Sequence, residues 1–235
     1  MDKKITKIVK TLPPNAQDYF HHVCEIAESN NVRILISDKL SLSYGDATNT
    51  QVNGYFEDGN KPTLAVAIGK PFNQWFTTFV HEACHMDQWL EKIPEWTNMK
   101  CGNVDGYDLL NLWLVNEIEL TKKQFDKICY QSYCVELDCE KRAVQDIINH
   151  ELPLDVNTYI QKANSYVYFY PMMWYIRSWY LPTFEPYNIE EIWTNMPKEF
   201  QEDYTNVPEK IRLIYIRSII NSWKGKITKC MIQNN

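Results

Sequence analysis

Apolar residues in this chain recur mostly at intervals of three and four, and only short stretches alternate, so the pattern predicts helices around one small sheet. The strongest helical period runs from Phe72 to Lys92, directly after Pro71. Wound as a helix, Phe72, Phe76, Phe79, Ala83, Met86 and Leu90 share one face and predict a buried side. The opposite face carries Gln74, Thr77, Thr78, His81, His85 and Gln88, with no Lys or Glu among them. A solvated face would be charged, whereas a polar, uncharged one suits the wall of a cleft. Asn15 to Ser29 repeats the period with Phe20, Val23, Ile26 and Ala27 inward. Its His21 and His22 diverge by about 100° and cannot chelate together.

Between these helices Val32 to Ser37 is β-branched and apolar, and a turn-rich region follows at Tyr44, Gly45 and Asp46. A hairpin is expected next, with strand Gly54 to Glu57, a turn from Asp58 to Pro62, and strand Thr63 to Ile68. Leu64 to Ile68 is the expected cleft-lining edge strand, able to accept an extended peptide, although a fully buried strand would have the same pattern. From Ile93 to Tyr107 the chain is punctuated by Pro94, Gly102 and Gly106, which predicts a loop that caps or gates the cleft. Thr121-Lys122-Lys123-Gln124 is a capping-box signature and opens a long helix.

Beyond Pro153 the period is again helical. Tyr159 to Tyr180 is expected to be one helix kinked at Pro171, and its second half packs Tyr166, Tyr168, Phe169, Tyr170, Trp174, Tyr175, Trp179 and Tyr180 into a core. Pro208 to Trp223, with Pro at its first turn and Gly225 past its end, predicts a closing helix. The fold class is therefore α+β, with residues 1–150 as a core and 151–235 as a helical, aromatic-rich lobe packed on it as one unit.

Composition narrows the function. The chain has 235 residues, 45% hydrophobic and 23% charged, enough for one good core and a second lobe. A net charge of -6 and a pI near 5.4 argue against nucleic acid or an anionic membrane as a partner. The start, Met1 to Lys7, has no apolar signal region, and no stretch approaches the roughly 18 apolar residues of a membrane span, so a cytoplasmic location is expected. Seven cysteines, an odd number without C-x-x-C spacing, read as reduced thiols. Cys84 and Cys139 are expected to pack in the core.

The chemistry centres on His81-Glu82-Ala83-Cys84-His85. Two histidines at i and i+4 lie about 40° apart around a helix and about 6 Å apart along it, so both rings reach one small cation. Glu82 is then placed to touch a water on that cation without binding it. A third ligand is expected between Val135 and Ala143. Read as a helix, Val135, Cys139, Ala143, Val144, Ile147 and Ile148 form an apolar side, Glu136 sits near its middle, Glu140 follows one turn later, and Asp138 points away. A carboxylate on a buried face needs a cationic or hydrogen-bonding partner. That makes Glu136 the candidate third ligand, the alternative being a buried Arg or Lys partner. Glu140 is placed to accept the second ring N–H of a ligand histidine. Glu117 and Glu119 are accounted for by Lys122, Lys123 and a polar setting. From the aromatic lobe, Tyr166, Tyr170 or Arg177 could lean over the metal and stabilise an oxyanion.

An H-E-x-x-H helix followed by a helix with E-x-x-x-D/E resembles the gluzincin group of zinc metallopeptidases. It is also similar to the small intracellular zincins of phages and their hosts, including the ImmA/IrrE type, in which two or three strands precede the active-site helix. The resemblance covers roughly Val32 to His150. It implies a zincin-like fold, a Zn2+ cofactor held by His81, His85 and Glu136, and Glu82 as general base. The interval from His85 to Glu136 is longer than in many relatives, and the ImmA/IrrE register would put Asp138 in the ligand position; the helical face favours Glu136. The expected function is a zinc-dependent peptidase acting on a peptide or protein. Two alternatives stand beside it. One is a non-catalytic module stapled by zinc, its fourth position filled by a side chain such as cysteine. The other is a narrow regulatory protease with a single protein target.

Overall fold

The computed structural model describes residues 3–44, 50–98, 100–101, 104–179 and 185–218. The chain folds as two units, each built from two stretches: Met1–Thr97 with Asp138–Val156, and Asn98–Leu137 with Asn157–Asn235. Residues 98–137 thus join the aromatic-rich helices, while the end of the long helix joins the first unit.

In the first unit α1 (Lys3–Val9) and α2 (Pro14–Ser29) precede β1 (Arg33–Ser37), β2 (Leu42–Tyr44), β3 (Thr50–Val52), β4 (Gly54–Glu57) and β5 (Thr63–Ala67). β4 and β5 form the expected antiparallel hairpin, with Gly54 opposite Val66 and Glu57 opposite Thr63. β1 then adds in parallel on the other side of β5, pairing Arg33 with Thr63 and Ser37 with Ala67. The sheet order is β1-β5-β4, with β2 and β3 pairing separately. This corrects the expectation for Leu64 to Ile68: β5 is central, flanked on both edges and buried at every position. Its backbone is committed to two neighbours, so β4 is the edge strand beside the next helix.

That helix is α3 (Phe72–Glu91), ended by Lys92 in the left-handed conformation at φ 55°. Phe76, Phe79, Ala83 and Met86 are buried on its apolar side, where Phe79 stacks on Phe20 of α2 at 4.8 Å and Tyr19 meets Phe76 and Phe79 edge-on. The polar side is solvated only at its start: Gln74 is exposed, whereas His85 and Gln88 are buried. α4 (Pro94–Thr97) follows directly, with its proline at the first helical position, where no N–H is needed.

The second unit opens with a two-residue ladder, β6 (Lys100–Cys101) against β7 (Val104–Asp105), and α5 (Gly106–Leu114). The loop expected from Ile93 to Tyr107 is therefore largely ordered. Pro94 starts a helix rather than breaking one, and Asp105 caps α5 by accepting from the Tyr107 N–H at 2.8 Å. α6 (Lys122–Asn149) begins at the predicted capping box. Gln124 Oε1 accepts from the Thr121 N–H at 2.9 Å, and the Gln124 N–H donates to Thr121 Oγ1 at 3.3 Å. Its 28 residues span about 42 Å and run from the second unit into the first.

The helix expected from Tyr159 to Tyr180 is instead two: α7 (Val156–Val167) and α8 (Phe169–Ile176). Pro171 lies in the first turn of α8, so the chain breaks at Tyr168 instead of kinking at the proline, whose ring would clash with a carbonyl one turn back. Tyr168, Phe169 and Tyr170 are buried in the expected core and Tyr166, Trp174 and Trp179 pack against it, whereas Tyr175 is exposed. Trp113 stacks on Trp174 at 5.8 Å, Phe125 packs on both, and Tyr133, Tyr168 and Tyr204 cluster together. A 3-10 turn (Pro186–Asn188), α9 (Glu190–Trp193) and helical residues 209–218 complete the unit. Among the described residues no helix is long and apolar enough to cross a membrane. Expectations for Gly45, Asp46, Gly102, Tyr180, Trp223 and Gly225 lie outside the described residues.

Candidate metal centre

α3 delivers His81 and His85 to the same side one turn apart, and their Nε2 atoms stand 3.1 Å from each other. Two imidazole nitrogens bound tetrahedrally to zinc at about 2.0–2.1 Å would sit about 3.3 Å apart, so the pair is already at the spacing of a shared ion. His85 is buried and the His81 side chain is 17% exposed. Each ring's other nitrogen faces a polar group. His85 Nδ1 lies 2.8 Å from Gln88 Oε1, and His81 Nδ1 lies 3.3 Å from Glu140 Oε1 and 3.5 Å from Cys139 Sγ. The Cys139 thiol also donates to the His81 carbonyl at 3.2 Å.

His81, His85 and Cys139 form a cluster that could hold a metal ion, with one donor atom from each within 4.8 Å of the others. Glu82, between the histidines, is buried, and its Cγ packs where β4 passes at Gly54. A Cβ built on Gly54 would lie 3.1 Å from that Cγ. Aromatic rings flank His85: Trp96 at 5.8 Å, itself beside Phe56, which in turn meets Trp89.

A second tier of polar groups supports this arrangement. Gln88 Nε2 donates to Asp138 Oδ2 at 2.8 Å, the same oxygen accepts from Arg142 Nε at 2.7 Å, and Arg142 also pairs with Glu91 at 2.8 Å. On the far side of α3, burial, followed by the charges of Asp146 and Glu91, pushes the Asp87 carboxyl up to about 6 against the pull of Arg142. The Cys84 thiol also sits above its usual range: a hydrogen bond with Cys139 lowers it, and burial with the nearby carboxylates of Asp146, Asp87 and Glu140 outweighs that.

Glu136, buried on α6, belongs to the second unit. Its Oε1 accepts from Tyr107 at 2.8 Å and Tyr170 at 3.2 Å, and the Tyr166 and Tyr170 hydroxyls lie 3.3 Å apart. Burial, then the Glu136 charge, holds the Tyr107 and Tyr170 phenols well above their ordinary range, so both stay donors. Two phenols thus receive this buried carboxylate. Arg177 is engaged elsewhere: it pairs with Glu119 at 2.9 Å and lies over the Trp113 ring at 5.0 Å.

Sequence reasoning missed Cys139 as a donor and Gln88 and Asp138 as supports. Gln88 was findable, since i+3 from His85 is the same helical face. Cys139 was findable too, adjacent to Glu140 and three positions from Glu136. Comparison with protein-family models, curated proteins and solved structures returned no match for this chain.

Proposed function

We propose that this chain is a zinc-dependent peptidase in which His81 and His85 bind the ion through Nε2 and Glu82 is the general base. The reading is carried by hydrogen-bond accounting at the two rings. His85 Nδ1 faces an amide oxygen, and His81 Nδ1 faces the Glu140 carboxylate, with the Cys139 sulfur beside it. The amide oxygen and the carboxylate accept, which favours a proton on Nδ1 of each ring. The two Nε2 atoms stand 3.1 Å apart, a spacing that a shared cation would join. Imidazole pairs with a carboxylate or thiolate nearby suit zinc.

Bound there, zinc would lower the pKa of a water towards about 7 and polarise a peptide carbonyl. Glu82 takes the proton from the attacking water and delivers it to the leaving amine. β4, with one ladder partner in its sheet, offers backbone groups for an extended peptide or protein substrate beside Glu82.

The third donor comes from α6, and it separates this reading from a second one. Glu136, the ligand inferred from the helical face, leaves a fourth position to water. Cys139 as the third donor would instead make a zinc staple, but its 3.5 Å contact with His81 is to Nδ1, while the histidine pair meets through Nε2, and one ring gives one nitrogen to one ion. Metal analysis with cobalt substitution distinguishes them, because a thiolate ligand adds an intense near-ultraviolet charge-transfer band. The peptidase reading expects no such band, metal affinity lost in Glu136→Gln and kept in Cys139→Ser, and cleavage of a mixed peptide library. Glu82→Gln should keep the metal and lower cleavage by about 10²- to 10⁴-fold. A thiolate band together with cleavage unchanged by Glu82→Gln would overturn it in favour of the staple.

A further inference from the structure

Gln88 is fully buried one turn after His85, and a buried side-chain amide is costly unless both its ends are satisfied. Here both are: Oε1 faces His85 Nδ1 at 2.8 Å and Nε2 donates to Asp138 Oδ2 at 2.8 Å. An amide has one donor end and one acceptor end, and its neighbours decide which way it points. Asp138 already receives the Arg142 guanidinium at 2.7 Å, and Arg142 is held in turn by Glu91 at 2.8 Å. A carboxylate so engaged offers only acceptors. It therefore takes the amide N–H and turns the amide oxygen towards His85. That oxygen accepts, so the ring supplies a proton from Nδ1 and keeps the Nε2 lone pair turned to His81.

We propose that Arg142, Asp138 and Gln88 form a polarity relay that sets the ring tautomer of His85 for metal binding, with Gln88 and Asp138 as positioning residues. The relay runs between α3 and the second half of α6, within the first unit. Its value for metal binding rests on the reading above, whereas the tautomer does not. It also gives Asp138 a role without making it a ligand.

The test reads the tautomer directly, by long-range 1H–15N correlation on the His85 ring of the metal-free protein at pH 8. The wild-type ring is expected as the Nδ1–H form. Gln88→Met, similar in shape but without donor or acceptor, should move the ring towards the Nε2–H form and weaken zinc binding by about 10- to 100-fold in competition with a chelator. Asp138→Asn, which can donate as well as accept, should leave a mixture of tautomers and an intermediate affinity. A wild-type ring in the Nε2–H form overturns the relay, as does a Gln88→Met protein whose tautomer is unchanged or whose zinc affinity ignores a tautomer change. If the tautomers shift as expected but no variant, nor the wild type, takes up zinc, the relay stands and the metal reading falls.

Discussion

Gly54 marks a close approach of the sheet to the helix that carries the histidines. A Cβ there would lie 2.7 Å from Thr78 Cγ2, 2.8 Å from the Ala65 carbonyl oxygen and 3.1 Å from Glu82 Cγ. The threonine methyl can rotate away, but the Ala65 carbonyl belongs to β5, which is held on both edges. Gly54→Ala is therefore relieved by pushing β4 outward and disturbing Glu82. Overpacking of this kind costs about 1–3 kcal/mol, or about 2–12 °C of Tm for a chain of this length. Thermal unfolding followed by near-ultraviolet circular dichroism measures it, with Gly59→Ala as the internal control. At Gly59 the nearest atom to a built Cβ is Glu57 Cγ at 4.0 Å, so that variant should stay within about 0.5 kcal/mol of wild type. On the peptidase reading, cleavage should fall in Gly54→Ala beyond any loss of folded protein and remain unchanged in Gly59→Ala. Equal melting of Gly54→Ala and wild type would refute the close approach, and the positioning argument for Glu82 with it.

Two further outcomes follow from the polar groups. Tyr107→Phe and Tyr170→Phe each remove a hydroxyl donated to the buried Glu136 carboxylate, so each should cost about 1.5–3 kcal/mol in urea denaturation. The larger loss should come from Tyr107, whose bond is 2.8 Å against 3.2 Å, and the double variant should fall short of the sum. On α2, burial and then the charges of Glu25 and Glu28 push the Cys24 thiol up to about 11 from 9.0. At pH 8 its thiolate fraction is then about 100-fold below that of an unperturbed thiol, and alkylation should accelerate about tenfold per pH unit until about pH 10. Iodoacetamide labelling followed on the Cys24 peptide checks this, and labelling at the rate of a free cysteine at pH 8 would contradict it.

The helices were legible wherever a local signal set them. The capping box at Thr121 and Gln124 opens α6, and the apolar period of Phe76, Phe79, Ala83 and Met86 packs as read. Strand order was not legible, because a central strand and a buried edge strand have the same composition. Only the return of β1, thirty residues earlier, makes β5 central. Pro171 was misread because a proline in a helical period fits a kink or a first turn equally well, and the preceding tertiary contacts decide. At the candidate site the histidine pair was legible because its spacing is internal to one helix. Glu140 was legible as a ring partner by face alone. Its neighbours Cys139 and Asp138 gain their roles from α3 side chains about fifty residues away, a separation that periodicity does not carry. Glu136 was recognised as buried, but the phenols that receive it come from α5 and α8, which nothing near it in sequence indicates.

The division of α6 between the two units has a consequence for synthesis. Gln88 and Asp138 are separated by 50 positions, so translation releases both imidazoles well before the acids and the thiol that orient them. A nascent chain ending at Thr97 carries the H-E-x-x-H helix without its orienting partners, and no contiguous fragment shorter than that interval can assemble the candidate site. Ring orientation is thereby tied to the arrival of α6, so the cluster reports the pairing of α6 with α3.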